Sequence, residues 1–192
     1  MAQAETEKLT QILFGAALSR AVSTIGELGI ADHIEAGSHN LWNRSPALRE
    51  PMNVRSTEYY ASWASHGIFQ EKGHGQFDHT PLSNCLRGNA DSSFRAAAQM
   101  FHRLFPFWDG LHHSAITGEP GFNKVFGQPV FDYIGTHPEL APIFDAAMPA
   151  IHGHEIGAML EAYDFSASHV LADIGGGNGS LVGVRAATLS ET

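Results

Sequence analysis

The chain has 192 residues, of which 43% are hydrophobic and 16% charged, and its mean hydropathy is −0.12. This length and composition are sufficient for a packed core and predict a soluble globular protein. Its 20 acidic residues outnumber 11 Lys and Arg, and the formal net charge of −9 at pH 7 argues against a nucleic-acid-binding surface. No apolar run approaches the ~18–20 residues of a membrane span. We therefore expect neither a nucleic-acid partner nor a membrane partner.

The amino terminus and the cysteine content indicate the cellular compartment. The opening residues, MAQAETEKLT, lack the basic and apolar segments of a signal peptide. Cys85 is the single cysteine, so no internal disulfide can form, which is compatible with a reducing environment. Together these features predict a cytoplasmic protein.

The amino-terminal third shows helical periodicity. The first run is an apolar stripe with helical spacing, formed by Leu9, Ile12, Leu13, Ala16 and Ala17. A second helical run extends from Arg20 to Leu28 and is followed by Gly29, a residue type that often caps helices. Another segment begins with Ile30–Ile34. The periodicity alone does not distinguish an ordinary core from a face that meets a partner subunit.

The segment Ala64–Leu86 predicts the end of a helix, a hairpin with Gly73 and Gly75 at its turn, and a short helix that begins after Thr80. This order of elements is typical of a winged helix. Because winged helices also bind DNA, a DNA-binding regulator is one alternative function. The acidic net charge argues against it, since the local basic residues are limited to one cluster, Arg44, Arg49 and Arg55.

Twelve histidines raise the question of a metal site. His152 and His154 are two residues apart and therefore lie on different sides of a helix, without the i,i+4 spacing of a zinc-binding pair. His112 and His113 are adjacent and diverge in the same way. The sequence therefore predicts no metal site.

A glycine-rich segment, VLADIGGGNGS, occupies Val170–Ser180. Its apolar start predicts a buried parallel strand that leads into a tight turn and then a helix. A P-loop would need a lysine after the glycines, and the third glycine of a dinucleotide fingerprint is replaced by Ser180. The pattern D-x-G-G-G-x-G fits instead, beginning at Asp173. A glycine turn without any ligand is the alternative interpretation.

This pattern resembles the first motif of class I S-adenosylmethionine-dependent methyltransferases. The preceding region resembles the small-molecule O-methyltransferases, which include the caffeate, hydroxyindole and anthracycline enzymes. The resemblance is carried by H-S-x-x-T-G-x-P-x-F, F-D-Y followed by H-P, F-x-x-x-M and Y-D-F-S, which lie at His113–Phe122, Phe131–Pro138, Phe144–Met148 and Tyr163–Ser166.

The resemblance implies a cofactor, S-adenosylmethionine, and the residues that contact it. By position in the motif, these are Asp173, Gly175, Gly176, Gly177 and Gly179. It also implies a pocket for the acceptor and the methyl donor, whose alternative explanation is plain core packing. The residues expected in this pocket are Phe131, Phe144, Met148 and Trp108.

The resemblance further implies a mostly α fold, with a winged-helix-like dimerisation domain over residues 1–110. A helical region over 111–166 lines the active site, and residues 167–192 hold the first strand and turn of a truncated α/β Rossmann-like domain. The amino-terminal helices are expected to form a homodimer. The general-base histidine is expected beyond residue 192, so no catalytic residue is assigned within the chain.

Two functions follow from this organisation. One is an O-methyltransferase that acts on a hydroxyl of a small aromatic molecule, here truncated and inactive, with weak or no binding of S-adenosylmethionine. The other is a non-enzymatic module for homo- or heterodimerisation. Cofactor affinity and the concentration dependence of the mass distinguish between them.

Two stretches depart from the resembled pattern, namely residues 39–63 and the tail after about residue 182. In a shifted reading frame, each new codon takes the third base of one codon and the first two bases of the next. Read in this frame, the codons of residues 39–63 can encode a helix, a Thr-Gly turn and a second helix. The tail can likewise encode the end of the helix that follows the glycine turn. A frameshift at each place is our hypothesis, and genuine divergence is the alternative.

Overall fold

The computed structural model describes residues 2–34, 66–73, 76–90, 93–165, 168, 170–177, 179 and 182–183. Seven α-helices and two strands lie within these residues, which confirms the mostly α class for this part of the chain. The helices are α1 Ala2–Leu28, α2 Pro81–Cys85, α3 Arg95–Leu104, α4 Leu111–Thr117, α5 Gly121–Phe126, α6 Val130–Thr136 and α7 Ala141–Ala162, and the strands are β1 Phe69–Gly73 and β2 Gln76–His79.

Several sequence predictions fall outside the described residues. These are the departing segment 39–63 with its arginine cluster, most of the departing tail, and the helix end predicted from Ala64. The winged-helix shape stays a prediction, because the described residues contain its hairpin and short helix only. Among the described helices, none combines the length and the apolar composition required to cross a bilayer.

Helix α1 is one continuous helix, so the prediction of two separate helical runs is wrong. No proline interrupts it, and the backbone hydrogen bonds continue through Ser19 and Arg20. The predicted cap is confirmed: Gly29 has a φ of +64° and its N–H donates to the carbonyl of Gly26 at 3.3 Å. A short 3-10 helix, Ile30–His33, follows.

The carboxyl-terminal half of α1 packs against α3. Gly26 lies so close to Ala98 that a Cβ on the glycine would overlap the alanine methyl. Arg103 of α3 donates through Nη2 to Glu27 at 3.0 Å. The core of this region also includes the hairpin, and its buried members are Ile25, Ile30, Ala31, Ile34, Ile68, Phe69, Phe77, Leu86 and Ala98.

The predicted hairpin and short helix are confirmed. Strands β1 and β2 pair antiparallel, with Phe69 opposite His79, and they connect through residues 74–75, which are not described. Thr80 caps α2: its hydroxyl accepts from the N–H of Ser83, and the Ser83 hydroxyl accepts from the N–H of Thr80. This reciprocal cap explains why the chain leaves the sheet as a helix at this point.

Helices α3 to α7 form the second half of the described fold. A 3-10 helix, Phe105–Gly110, joins α3 to α4. The backbones of Gly110 and Gly121 are in direct contact, since a Cβ on Gly121 would lie 2.6 Å from the carbonyl oxygen of Gly110. The buried centre of this half consists of Leu104, Ile134 and Leu140.

The strand predicted at 170–172 does not form, and that prediction is wrong for the described residues. Val170 is 86% exposed and Leu171 is 37% exposed, whereas a buried strand would hide both. A strand needs a neighbour for its backbone hydrogen bonds. The one sheet within the described residues is the hairpin of β1 and β2, which does not include residues 170–172.

Candidate active site

A cavity of about 800 Å³ lies between α6, α7 and the glycine turn, which we define as residues 173–177. Helix α7 supplies most of the cavity wall, because residues three or four positions apart lie on the same face of a helix. The lining residues of α7 are Ala141, Phe144, Asp145, Met148, Pro149, His152, Gly153, Glu155, Ile156 and Met159. The volume is in the range of small-molecule sites.

One end of the cavity has an aromatic wall. The rings of Phe131 and Phe144 meet edge to face, with centroids 6.0 Å apart and planes at 80°. Phe131 is 71% exposed, although large aromatic side chains usually bury most of their surface. Met148 lies one turn after Phe144 on α7 and adds a polarisable thioether to the same wall. This surface can hold a flat apolar ring.

The glycine turn forms another part of the lining. Gly175 has a φ of +79° and Gly177 a φ of +57°, a backbone region that other residues rarely adopt. Gly179 also has a positive φ, and its N–H donates to the carbonyl of Gly176 at 2.9 Å. Nothing lies within 4 Å of a Cβ placed on Gly175, Gly177 or Gly179. These glycines are therefore required by conformation rather than by crowding.

Asp173 provides the test of whether this turn suits a ligand. Its Oδ2 atom is buried and has no hydrogen-bond partner among the described residues. Gly176 makes room for the carboxyl group, since a Cβ there would overlap it. A buried carboxylate oxygen without a donor is costly, and a ligand hydroxyl or amine would satisfy it. The turn therefore fits a polar ligand such as S-adenosylmethionine.

A histidine–carboxylate pair also lines the cavity. Nδ1 of His152 lies 2.9 Å from Oε1 of Glu155, one turn further along α7. The hydrogen bond from His152 lowers the pKa of Glu155, and the charges of His152 and His154 act in the same direction. Within the described residues, no group of three or more His, Cys, Asp or Glu residues could hold a metal ion.

The structure brings most of the predicted site residues together. Phe131, Phe144 and Met148 line the same cavity as the glycine turn. Trp108 and Gly179 do not line it. Trp108 lies on the 3-10 helix before α4, where its ring packs on Phe107 at a centroid distance of 4.4 Å.

Sequence reasoning missed the polar lining residues Asp145, His152 and Glu155 and the apolar residues Ile156 and Met159. Their helical spacing from Phe144 and Met148 was a usable signal. Each of them lies three, four or seven residues from another lining residue of α7. Extending the face of α7 in this way would have identified them.

Comparison with known proteins gives the same assignment. The O-methyltransferase domain family matches residues 108–188. Phenazine O-methyltransferase PhzM from Lysobacter antibioticus is 31% identical over 182 residues, which is 91% of this chain and 51% of that protein. Mitomycin biosynthesis 6-O-methyltransferase from Streptomyces lavendulae is 30% identical over 93% of this chain and 52% of its own length.

Solved structures agree. LaPhzM superposes with a TM-score of 0.82 and 29% identity, over 95% of this chain and 55% of that one. The mitomycin 7-O-methyltransferase MmcR gives a TM-score of 0.73 and 28% identity, over 95% and 54% of the respective chains. NcsB1 from neocarzinostatin biosynthesis, solved with S-adenosyl-L-homocysteine and 1,4-dihydroxy-2-naphthoic acid, gives 0.68 and 25%, over 88% and 52%.

The cavity, its glycine turn and these similarities define the class: the chain belongs to the S-adenosylmethionine-dependent O-methyltransferase family. It spans about half the length of the curated relatives that it matches over most of its own length.

Proposed function

We propose that this chain supplies the acceptor pocket and the first cofactor-binding turn of an O-methyltransferase that methylates a hydroxyl group of a small aromatic molecule. The observation that carries the proposal is a single cavity lined by both the aromatic wall and the glycine turn. The match to the O-methyltransferase domain over residues 108–188 favours this function over a stand-alone dimerisation module or a DNA-binding regulator.

In this proposal the two walls have separate roles. Asp173 and the glycine turn bind the cofactor, because Asp173 offers an unsatisfied acceptor and the turn leaves its backbone accessible. Phe131, Phe144 and Met148 hold the acceptor ring. When bound, S-adenosylmethionine supplies an electrophilic methyl group. Holding both reactants in one cavity lowers the barrier through proximity and orientation.

We further propose that turnover needs the part of the relatives that this chain does not span. No described histidine is assigned as the general base. The proposed division is a dimerisation domain over 1–110, a pocket-lining region over 111–166 and the start of the cofactor domain over 167–192. On this basis the 192-residue chain binds the cofactor weakly and does not methylate.

The test is a titration of the chain with S-adenosyl-L-homocysteine, followed by backbone amide NMR. We expect shifts confined to the cavity lining and a dissociation constant on the order of 1 mM. Asp173→Asn removes the carboxylate and should weaken binding several-fold. The matched control is Asp109→Asn, an exposed aspartate of the 3-10 helix that does not line the cavity. Shifts absent from the glycine turn, or equal effects of the two variants, would contradict the proposal.

We also propose that the amino-terminal half of α1 forms a homodimer. Its apolar residues Leu9, Ile12 and Leu13 are 57%, 64% and 71% exposed. A contiguous apolar stripe of this kind marks an interaction surface. Light scattering should give a concentration-dependent mass that Leu13→Glu abolishes. Gln11→Glu adds the same charge on the opposite face of the helix and should leave the mass unchanged, and a wild-type chain that stays monomeric at all concentrations would disprove the dimer.

A further inference from the structure

We infer that the acceptor cavity selects by charge: it takes neutral or cationic aromatic hydroxyl compounds and discriminates against acceptors that carry a carboxylate. The inference rests on the proposed function, because it treats the cavity as the acceptor site. It names the chemical class of acceptor, which the aromatic wall alone leaves open.

The titratable groups of the lining carry the inference. Asp145, Glu155 and Asp173 are acidic, His152 is the one histidine, and no lysine or arginine is present among the described lining residues. Three formal negative charges therefore face at most one positive charge. An exposed glutamate is already ionised at neutral pH, and the hydrogen bond from His152 lowers the pKa of Glu155 further.

The two arginines of α3, a helix that contacts α7, do not compensate for this negative charge. Within the described residues, Arg103 is paired with Glu27 between α3 and α1. Arg95 is paired with Asp32 of the 3-10 helix that follows α1. Both guanidinium groups are thus engaged in holding the fold together, and neither lines the cavity.

The position of Asp145 matters most for an acceptor. It is adjacent to Phe144 on α7, and both residues line the cavity. Glu155 lies ten positions further along, about 15 Å at 1.5 Å per residue. An acceptor ring held at the aromatic wall therefore has a carboxylate beside it, and a second one along the same helix face. An anionic substituent on that ring would be repelled, whereas an ammonium group would be attracted.

The expected effect is moderate because the cavity is open to solvent. Water and salt screen charges at exposed sites, and each carboxylate contributes a few-fold at most. Together the carboxylates should weaken an anionic ligand about tenfold relative to a neutral one of the same shape. A cationic ligand of that shape should bind more tightly than the neutral one.

Three probes that share the 2-naphthol ring system test the inference on the full chain: 2-naphthol, 6-hydroxy-2-naphthoate and 6-(aminomethyl)-2-naphthol. Their own fluorescence reports binding. At low ionic strength we expect the cationic probe to bind best and the carboxylate probe worst. At ~1 M salt, where the Debye length is about 3 Å, the differences should shrink.

A double variant, Asp145→Asn with Glu155→Gln, removes two charges without changing side-chain size. It should narrow the gap between 2-naphthol and 6-hydroxy-2-naphthoate several-fold. Glu161→Gln is the matched control, because it removes a carboxylate from α7 outside the cavity. Equal affinity of wild type for these two probes, or a gap that the double variant leaves unchanged, would overturn the inference.

Failure of the proposed function gives a different result. Phe131→Ala should weaken binding of all three probes by a similar factor, because it removes part of the aromatic wall without changing charge. If 2-naphthol binds equally well to Phe131→Ala and to wild type, the cavity is not an aromatic site, and the proposed function and the charge inference both fall. If Phe131→Ala weakens binding but wild type binds the three probes with equal affinity, only the charge inference is wrong.

Discussion

The two halves of α1 differ in how far tertiary contacts bury their side chains. In the carboxyl-terminal half, Ser23 and Ile25 are 1% and 0% exposed, and the helix packs against α3 and the hairpin core. In the amino-terminal half, Leu13 and Phe14 are 71% and 69% exposed. Local sequence favours helix throughout, but burial depends on a tertiary partner, which within the described residues only one half has.

The largest expected effect tests that contrast directly. Ile25→Ala should destabilise the chain by about 2–5 kcal/mol, because it leaves a cavity in a packed core. Leu13→Ala, on the exposed half, should cost less than ~0.5 kcal/mol when the protein is dilute. Urea denaturation of both variants measures the difference. Similar losses would mean that the amino-terminal half is buried in the folded chain.

Two glycines on α1 allow a second comparison, in which the two halves respond with opposite signs. Gly26→Ala should destabilise by about 1–3 kcal/mol, because the new methyl group would overlap Ala98. Gly15→Ala meets nothing within 4 Å and should stabilise by up to ~1 kcal/mol, since alanine is the better helix former. Thermal unfolding gives both values, and a stabilised Gly26→Ala would show that α1 and α3 do not pack closely.

Ion pairs give a smaller contrast. Arg103 joins α3 to Glu27 of α1 through two hydrogen bonds, at 3.0 and 3.3 Å, and both side chains are partly buried. Arg103→Met keeps most of the packing and should cost about 1 kcal/mol. The matched control is Lys72→Met, which breaks the longer 3.8 Å pair with Asp78 on the hairpin and should cost less than ~0.5 kcal/mol. Equal losses would mean that the α1–α3 pair adds nothing beyond an ordinary surface pair.

The smallest effect concerns a pair that lies within one helix and joins no two elements. His152→Ala should raise the pKa of Glu155 toward its ordinary value, whereas His154→Ala, which acts only through its charge, should raise it less. Carboxyl ¹³C NMR across an acid titration measures both shifts.

The sign of the pH dependence follows from the lowered pKa. Any stabilisation from the pair is present above the unfolded-state pKa and is lost as pH falls through the folded-state value. Because Glu155 is exposed, we expect no measurable change in unfolding free energy near neutral pH. An unchanged Glu155 pKa in His152→Ala would show that the hydrogen bond does not form.

Local signals in the sequence predicted the local structure well. The end of α1 at Gly29 and the hairpin followed by a helix capped at Thr80 depend on neighbouring residues, and each was found from the sequence. The strand at 170–172 was predicted from the same kind of signal, but a strand also needs a partner that local sequence does not contain.

The candidate site was only half predictable for a similar reason. Phe131, Phe144, Met148 and the glycine turn were found through family motifs, and the structure brings them to one cavity. Asp145 and Glu155 belong to no motif. They become part of the site because α7 turns one face toward the glycine turn, which is a tertiary arrangement.

The contact between Gly110 and Gly121 has a consequence for how this fold can change over generations. Backbone atoms of each glycine obstruct a side chain at the other, and the Ser114 hydroxyl also obstructs one at position 121. A larger residue at either position therefore cannot be rescued by shrinking its neighbour, which is already the smallest residue. With no compensating exchange open to them, both positions should be intolerant to substitution in a mutational scan, although neither lines the candidate cavity.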